Sequence, residues 1–257
     1  MPDSGDIRPV SFTVTTPGEP EAIKARMAAN EARGLPEAAA ERPVVIVGSG
    51  PSARDAALWA FLEANPDQPT CAVNNALRLF LEHRQTPTYW VACDAEQRVA
   101  EFVADAPKDT IYLVGSKVHP DVFDRLRDRD VRIWRLDEFG RQSDAFHVPC
   151  AVSVTLCAQS LLRLMGYNVF RHWGWDCCFL DGKDHASPQD GVDRQVLKLA
   201  IERPDGEPLE FQTLGPWMAE LNDAYIQTGN FLTMGYKVEV NGPGAVAAVL
   251  RAKGMLA

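Results

Sequence analysis

The sequence predicts an α/β fold in which a mostly parallel sheet carries helices on both faces. Short apolar runs alternate with segments of helical apolar spacing from residue 43 to residue 175. The first run, PVVIV at 43–47, has four consecutive β-branched residues and no polar position, as expected of a strand buried on both faces. Repeated alternation of strand and helix favours parallel pairing, with the helices covering the sheet.

The individual elements follow from the same patterns. Strands are expected at 43–47, 71–73, 88–93, 110–115, 131–136 and 168–175. Helices are expected at 52–64, 76–83, 95–105, 121–129 and 152–165. After a polar loop, a hairpin around Pro204-Asp205-Gly206 is predicted to join strands at 192–202 and 207–213. A helix at 215–228, a strand at 236–240 and a helix at 245–253 are expected to follow.

The composition narrows the functional class. The chain has 257 residues, 46% apolar and 24% charged, the ordinary balance of a globular protein. Its net charge of −9 argues against a nucleic-acid surface, which needs clustered Lys and Arg. No apolar run approaches the ~18 residues of a membrane span, and no signal peptide is evident. A cytoplasmic protein with reduced, mostly buried cysteines is therefore expected.

A glycine-rich loop follows the first strand and opens the first predicted helix. It reads Gly48-Ser49-Gly50-Pro51-Ser52-Ala53 and satisfies the pattern G-x-G-x-x-[GA]. Glycines allow a sharp turn and a close backbone approach, and a helix start offers N–H groups and a positive dipole end to phosphate. The loop predicts a Rossmann-like nucleotide-binding core. A tight strand-to-helix turn without a ligand is the alternative.

The second strand decides between classes of nucleotide. A dinucleotide fold places Asp or Glu at the end of this strand to hold the ribose hydroxyls. Here the strand ends in Asn74-Asn75, and Pro51 removes one amide donor from the glycine loop. The FAD- or NAD-dependent oxidoreductase is therefore the alternative reading rather than the leading one. Asn74 and Asn75 are candidate contacts to a ribose or a base, or else plain turn residues.

Polar residues follow several predicted strands at the edge where ligands bind in open α/β sheets. Asp94 and Glu96 stand two residues apart after the third strand, and Mg²⁺ prefers a few carboxylates together with phosphate oxygens. Asp94 could instead cap the next helix, with Gln97 completing a capping box. Asp176 and His185 are candidate proton acceptors, although His185 could be an ordinary loop residue. Ser153 is a candidate helix N-cap or anion contact.

Several segments in this order resemble one family. They are VVIVGSGPSA, AVNNAL, YWVACDAE, PCAVSVTLCAQSLLRLMGYNVFRHWGWDCCF and DGKDHA, which together cover roughly 43–186. They resemble the group around the archaeal 6-hydroxymethylpterin pyrophosphokinase, which includes the Maf-type flagellin glycosyltransferases. Bacterial CMP-sialic-acid sialyltransferases are a more distant likeness. Those enzymes hold the CMP phosphate with two tyrosines, but this chain has Trp175, Cys177, Cys178 and Phe179 in that region.

The resemblance implies a transferase that uses a nucleotide or nucleotide-sugar donor. It places the nucleotide against Gly48 to Ser52, with Asn74 or Asn75 at the base or ribose. Asp94 and Glu96 would bind Mg²⁺, and Ser153 with Gly174-Trp175-Asp176 would line the other side. The expected partners are the nucleotide and an acceptor of unknown identity. A nucleotide-binding protein without catalysis is the second alternative.

Three segments organise the predicted chain. They are an N-terminal arm with a surface helix at 1–42, the Rossmann-like core at 43–190, and a hairpin and helix extension at 191–257. The extension is expected to complete the same domain as the core. Its sequence matches no known motif, so acceptor specificity is predicted to reside there.

Overall fold

A computed structural model describes residues 40–136, 147–148, 153–187, 195–203 and 206–256. The ten strands of these residues are β1 (Pro43–Val47), β2 (Thr70–Val73), β3 (Tyr89–Ala92), β4 (Ile111–Gly115), β5 (Asp130–Leu136), β6 (His147–Val148), β7 (Val169–Trp173), β8 (Val196–Glu202), β9 (Pro208–Leu214) and β10 (Lys237–Val240). Eight of them form one sheet in the order β10-β7-β1-β2-β3-β4-β5-β6, and β8 pairs with β9 alone. Each neighbouring pair in the large sheet is parallel. The predicted α/β class is confirmed.

The α-helices described are α1 (Ala56–Ala64), α2 (Leu77–Glu82), α3 (Pro120–Arg125), α4 (Val154–Leu164), α5 (Gly215–Thr233) and α6 (Ala245–Ala252). Two expected α-helices differ. The predicted helix at 52–64 begins with a separate 3₁₀ turn at Pro51–Arg54, because Asp55 caps α1 by accepting the N–H of Ala57 at 2.9 Å. The predicted helix at 95–105 is a 3₁₀ helix at Gln97–Val103.

Alternate residues of β1 face two different helical layers. Val44 and Ile46 pack in the cluster formed with α4, α5 and α6. Val45 and Val47 pack in the cluster formed with α1, α2 and α3. Each buried aliphatic side chain of this kind contributes roughly 1.5–3 kcal/mol through removal of apolar surface from water. The strand is therefore fixed in the middle of the sheet, and the loop that follows it has a rigid base.

The hairpin of β8 and β9 lies outside the main sheet. Its antiparallel register runs from Val196 opposite Leu214 to Glu202 opposite Pro208. The N–H of Phe179 donates to Gln212 O at 2.8 Å, and the hydroxyl of Thr213 donates to Cys177 O at 2.7 Å. These bonds attach β9 to the chain that follows β7, so α5 begins beside the carboxyl ends of the central strands.

Glu41–Ala257 form one compact unit. The predicted arm and surface helix up to residue 39, the loop residues 188–194 and the turn residues Pro204 and Asp205 lie outside the described residues. No described helix has both the length and the apolar character that crossing a membrane requires. The five cysteines within the described ranges carry free thiols and are buried.

Candidate functional site

The site lies where the strand order reverses. The chain passes from β1 to β2 on one side and returns to β7 on the other side of β1. The loops that leave two adjacent strands in opposite directions open a crevice, which is the usual ligand site of such sheets. A pocket of about 290 Å³ occupies this position.

Ten residues predicted as site residues line the pocket: Ser49, Gly50, Asn74, Asp94, Glu96, Ser153, Gly174, Trp175, Asp176 and His185. Four predicted residues are not part of its lining: Gly48, Pro51, Ser52 and Asn75. The fold thus brings together most residues that the sequence associated with nucleotide, metal and acceptor. Their individual contacts, however, differ from those expected.

The glycine loop is joined directly to the loop after β7. The N–H of Gly50 donates to Gly174 O at 2.8 Å, and the N–H of Gly48 donates to Trp173 O at 2.8 Å. A Cβ on Gly48 would lie 2.4 Å from Gly174 O, and Gly174 itself has φ +66°, which favours glycine. Close packing of two backbones therefore explains these glycines without a ligand.

Asp176 closes the same loop from the other side. Its Oδ2 accepts the main-chain N–H of Ser52 at 2.8 Å, and its main-chain oxygen accepts the N–H of Ala245 at 2.9 Å. The side chain is 2% exposed, and burial raises the pKa of its carboxyl group. The amides of Gly48, Gly50 and Ser52 are therefore already occupied by protein oxygens. This contradicts the expectation that they are open to a donor phosphate.

Asn74 brings a polar side chain from the end of β2 into the pocket. Its Nδ2 donates to Asp94 Oδ2 at 2.7 Å, and its main-chain oxygen accepts the indole N–H of Trp90 at 2.9 Å. Its φ is +49°, a left-handed conformation that Asn tolerates better than most residues. Its Oδ1 is buried and accepts no hydrogen bond from any described residue. An acceptor of this kind needs a donor, which a ribose hydroxyl or a base amino group can supply.

Asn75 is not among the residues that line this pocket. It is 3% exposed and lies in the 3₁₀ turn at Asn74–Ala76. Its Oδ1 also has no partner among the residues that the structure describes. Of the two asparagines that the sequence could not separate, Asn74 is the one that lines the pocket.

The carboxylates of Asp94 and Glu96 are bonded to different partners. Glu96 forms an ion pair with Arg98, whereas Asp94 is bonded to Asn74. Within the described ranges, no group of three or more His, Cys, Asp or Glu residues could hold a metal ion. Asp94 does not form the alternative capping box either, because the N-cap position is Glu96 and Gln97 bonds to Asp121. Asp94 is a carboxylate of the kind that suits Mg²⁺ when phosphate oxygens complete the shell.

The N-terminus of α4 forms another wall of the pocket. Ser153 is its N-cap, and Ser153 Oγ accepts the N–H of Leu156 at 3.4 Å. Val154 and Thr155 line the pocket beside it. The first N–H groups of a helix have no partner within the helix and carry the positive end of its dipole. This eleven-residue helix is thus better placed to receive an anion than the short turn after the glycine loop.

The loop after β7 carries His185 into the pocket. Its Nδ1 lies 3.2 Å from Asp184 Oδ2, and its ring is tilted against Trp217 with centroids 6.0 Å apart. The N–H of Ala186 donates to Ser49 O at 2.8 Å, which anchors the loop to the glycine loop. His185 therefore lines the pocket, as expected of a candidate site residue.

Sequence reasoning missed the contribution of α5. Its Glu220 Oε1 accepts the indole N–H of Trp175 at 2.7 Å, and Ser153 and Cys177 line the pocket together with Glu220. Burial raises the pKa of Glu220. Trp217 lies one turn earlier on the same side of α5, and this spacing is visible in the sequence. Nothing in the sequence, however, showed that α5 begins beside the loop after β7.

A comparison with known families now gives the relationship. The family described as 6-hydroxymethylpterin diphosphokinase MptE-like matches residues 23–182, more than half of the chain. The chain belongs to the MptE-like family. The resemblance stated from the sequence is confirmed. The matched residues include the pocket walls formed by β1, β2, β3, α4 and β7, whereas α5 lies outside them.

A solved structure shares the fold of this MptE-like chain. It is the MAf glycosyltransferase from Magnetospirillum magneticum AMB-1, with a TM-score of 0.60 and 14% sequence identity. The similarity covers 85% of this chain but only 37% of the glycosyltransferase, so the chain spans little more than a third of that protein. At this identity, the likeness concerns the fold alone. A comparison with curated proteins gives no match.

Proposed function

We propose that this MptE-like chain is a nucleotide-dependent transferase. It moves a phosphoryl, pyrophosphoryl or glycosyl group from a nucleotide donor to a small-molecule or glycan acceptor. Family membership supports a transferase-like role. The observation that carries the nucleotide is the unpartnered Asn74 Oδ1 at the end of β2, in a pocket at the strand reversal.

The proposed nucleotide lies with its ribose or base at Asn74 and its phosphates toward the N-terminus of α4. Ser153 and Thr155 at the start of α4 line the pocket, as do Ser49 and Trp175. This pose differs from the one that the glycine motif predicted. It places phosphate at a helix start whose first N–H groups have no intrahelical acceptor, rather than at amides that Gly174 and Asp176 already occupy.

The charge of the pocket supports a divalent cation. Five carboxylates and one arginine are among its lining residues: Asp94, Glu96, Asp176, Asp184, Glu220 and Arg98. A nucleotide phosphate entering such a site is repelled unless a cation offsets the charge. Asp94 would hold Mg²⁺ together with donor phosphate oxygens. The ion would neutralise charge that develops on the leaving phosphate.

The chain's own residues would mainly position the reactants. Trp217 and His185 are in ring contact in the pocket lining, where an acceptor could pack against aromatic faces. Orientation of two bound reactants accounts for a large share of catalysis in reactions of this type. The cytoplasmic location and the absence of nucleic-acid partners remain predictions.

A thermal-shift screen of the full chain tests the proposal. The probes are ATP, GTP, CTP, CMP-N-acetylneuraminic acid, UDP-N-acetylglucosamine, FAD and NAD, each with MgCl₂ and with EDTA. We expect one of the first five to stabilise the chain more with MgCl₂, since a ligand at about 100 times its Kd adds roughly 2.7 kcal/mol. Stabilisation by FAD or NAD alone would favour the oxidoreductase. Binding without turnover of any probe would favour a non-catalytic protein.

The magnesium role has its own variant. Asp94→Asn keeps the shape of the side chain but removes its charge. We expect that MgCl₂ no longer strengthens nucleotide binding by this variant in titration calorimetry. If magnesium strengthens nucleotide binding equally in both proteins, the cation does not bind at Asp94. If EDTA does not change nucleotide binding by the wild-type chain, nucleotide binding does not require a divalent cation.

A further inference from the structure

Glu220 differs from the other acids of the pocket in what surrounds it. Its Oε1 accepts the indole N–H of Trp175 at 2.7 Å, and the neutral side chains of Ser153 and Cys177 line the same pocket. No ion pair of the described residues includes Glu220. Burial raises the pKa of Glu220, and this effect outweighs that of its hydrogen-bond donors, which favour the charged form.

The main chain at Cys177, in the same pocket as Glu220, has a strained conformation. Cys177 has φ +52°, a left-handed conformation that is uncommon for residues other than glycine. The hydroxyl of Thr213 holds the main-chain oxygen of Cys177 at 2.7 Å and so fixes this turn to β9. Strained residues of this kind persist where the surrounding structure over-determines them, and they cluster at functional sites. Cys177 and Glu220 both line the pocket.

The other acids of the pocket are engaged differently. Asp176 Oδ2 is bonded to the Ser52 amide, and a Cβ on Gly244 would lie 2.5 Å from its Oδ1, so both oxygens are enclosed by protein. Asp94 Oδ2 accepts from Asn74, and Glu96 is paired with Arg98. The proton-accepting role that the sequence gave to Asp176 is therefore better met by a different carboxylate.

We propose that Glu220 is the catalytic residue that accepts the proton of the acceptor hydroxyl, with Trp175 and Ser153 as its positioning residues. This inference rests on the proposed transferase function. The acceptor oxygen forms a new bond to the transferred phosphorus or sugar carbon. The bond from that atom to the nucleotide oxygen breaks, and its electron pair leaves with the nucleotide. The acceptor O–H bond breaks, and its proton passes to Glu220. No oxidant or reductant is required.

The assignment concerns a residue outside the family match. The matched residues end at 182, whereas Glu220 lies on α5. Pocket walls within the matched residues are thus combined with a proton acceptor from the C-terminal extension. Burial raises the pKa of Glu220, which brings its protonation closer to neutral pH, as a general base requires.

Donor hydrolysis tests the inference without knowledge of the acceptor, because water can take the acceptor's place. The full chain is incubated with ATP, GTP, CTP, CMP-N-acetylneuraminic acid or UDP-N-acetylglucosamine, and the released nucleotide is measured from pH 5 to 9. We expect Glu220→Gln to lower turnover by ~100-fold or more while nucleotide Kd changes less than about threefold. The acid-side fall of the wild-type rate should disappear in this variant.

Two further variants separate chemistry from structure. Glu220→Gln keeps an oxygen that can accept the Trp175 indole N–H, so a purely structural role of Glu220 predicts wild-type turnover in this variant. A proton-accepting role predicts instead that Glu220→Asp, which keeps a carboxylate, retains more turnover than Glu220→Gln. Glu210→Gln makes the same change on the exposed face of β9 and should behave as wild type.

Two results would overturn the inference alone. One is nucleotide binding with wild-type turnover in Glu220→Gln. The other is an acid-side limb that survives in Glu220→Gln but is lost in His185→Asn, which would return the role to His185. Nucleotide binding without any hydrolysis by the wild-type chain would favour a non-catalytic protein, and so would contradict the proposed function together with this inference. Failure of the wild-type chain to bind any of the five nucleotides would also contradict the proposed function, and this inference with it.

Discussion

The main-chain N–H of Ser52 donates to Asp176 Oδ2 at 2.8 Å, and this bond closes the glycine loop with a side chain from the far side of β1. A motif that usually receives phosphate is here completed by a carboxylate of the protein itself. The amide and the carboxylate are both buried. The bond therefore belongs to the framework of the pocket, and its loss should be measured first as a loss of stability.

Asp176→Ala should lower the free energy of unfolding by ~1–3 kcal/mol, because it leaves the buried N–H of Ser52 without an acceptor. Asp176→Asn keeps an oxygen at the same place and should cost less. Urea unfolding followed by tryptophan fluorescence measures both. Asp184→Ala, at a partly exposed carboxylate of the same pocket, is the control and should change stability little. Wild-type stability in Asp176→Ala would contradict the closing role.

Gly50→Ala should destabilise the fold by ~1–3 kcal/mol, because its Cβ would lie 2.4 Å from Asp176 Oδ2 and 2.7 Å from Gly174 O. Gly215→Ala is the matched control, since nothing lies within 4 Å of its Cβ. Thermal unfolding compares the two variants. If both variants have the melting temperature of the wild type, the glycine loop and the loop after β7 are not as closely packed as described. If the melting temperature falls only in Gly50→Ala, a loss of ligand binding in glycine-loop variants would reflect disturbed packing of the loop rather than a lost ligand contact.

Asn74→Gly should weaken nucleotide binding by up to about tenfold, the effect of one net hydrogen bond. Glycine is the suitable replacement because φ at this position is +49°, which alanine would adopt only with strain. Titration calorimetry with the nucleotide that gives the largest thermal shift measures the change. Asn65→Ala, at the exposed end of α1, serves as the control. Unchanged affinity in Asn74→Gly would show that the end of β2 does not contact the ligand.

Glu220→Gln should be more stable than the wild type, and the difference should grow as the pH rises above 4.5. Burial raises the folded-state pKa of Glu220 above this ordinary value, so the folded chain binds more protons than the unfolded chain in the interval between them. The stability of the wild type therefore falls as the pH increases through that interval, whereas glutamine does not titrate. Melting curves at pH 5 and pH 8 test this. A difference in Tm that shrinks toward pH 8 would contradict it.

Local patterns in the sequence predicted the elements of the core with small errors at their ends. The apolar run at 43–47 is β1, and Gly166 ends α4 with φ +92°, because strand burial and helix termination depend on neighbouring residues. The glycine spacing correctly marked a close backbone approach after β1. It did not show what approached, because Gly174 and Asp176 lie more than 120 residues further along the chain.

The sequence by itself determined the α/β class, the family and the set of polar strand ends, since these depend on periodicity and on short motifs. Only the tertiary structure decided which of these polar groups are bonded within the protein and which are open to a ligand. Strand order placed β7 beside β1, so Asp176 became a partner of Ser52 and not an open carboxylate. The antiparallel register of β8 and β9 set where α5 begins, and thereby brought Glu220 to Trp175. Contacts between distant segments depend on how elements pack, and no local pattern encodes that packing.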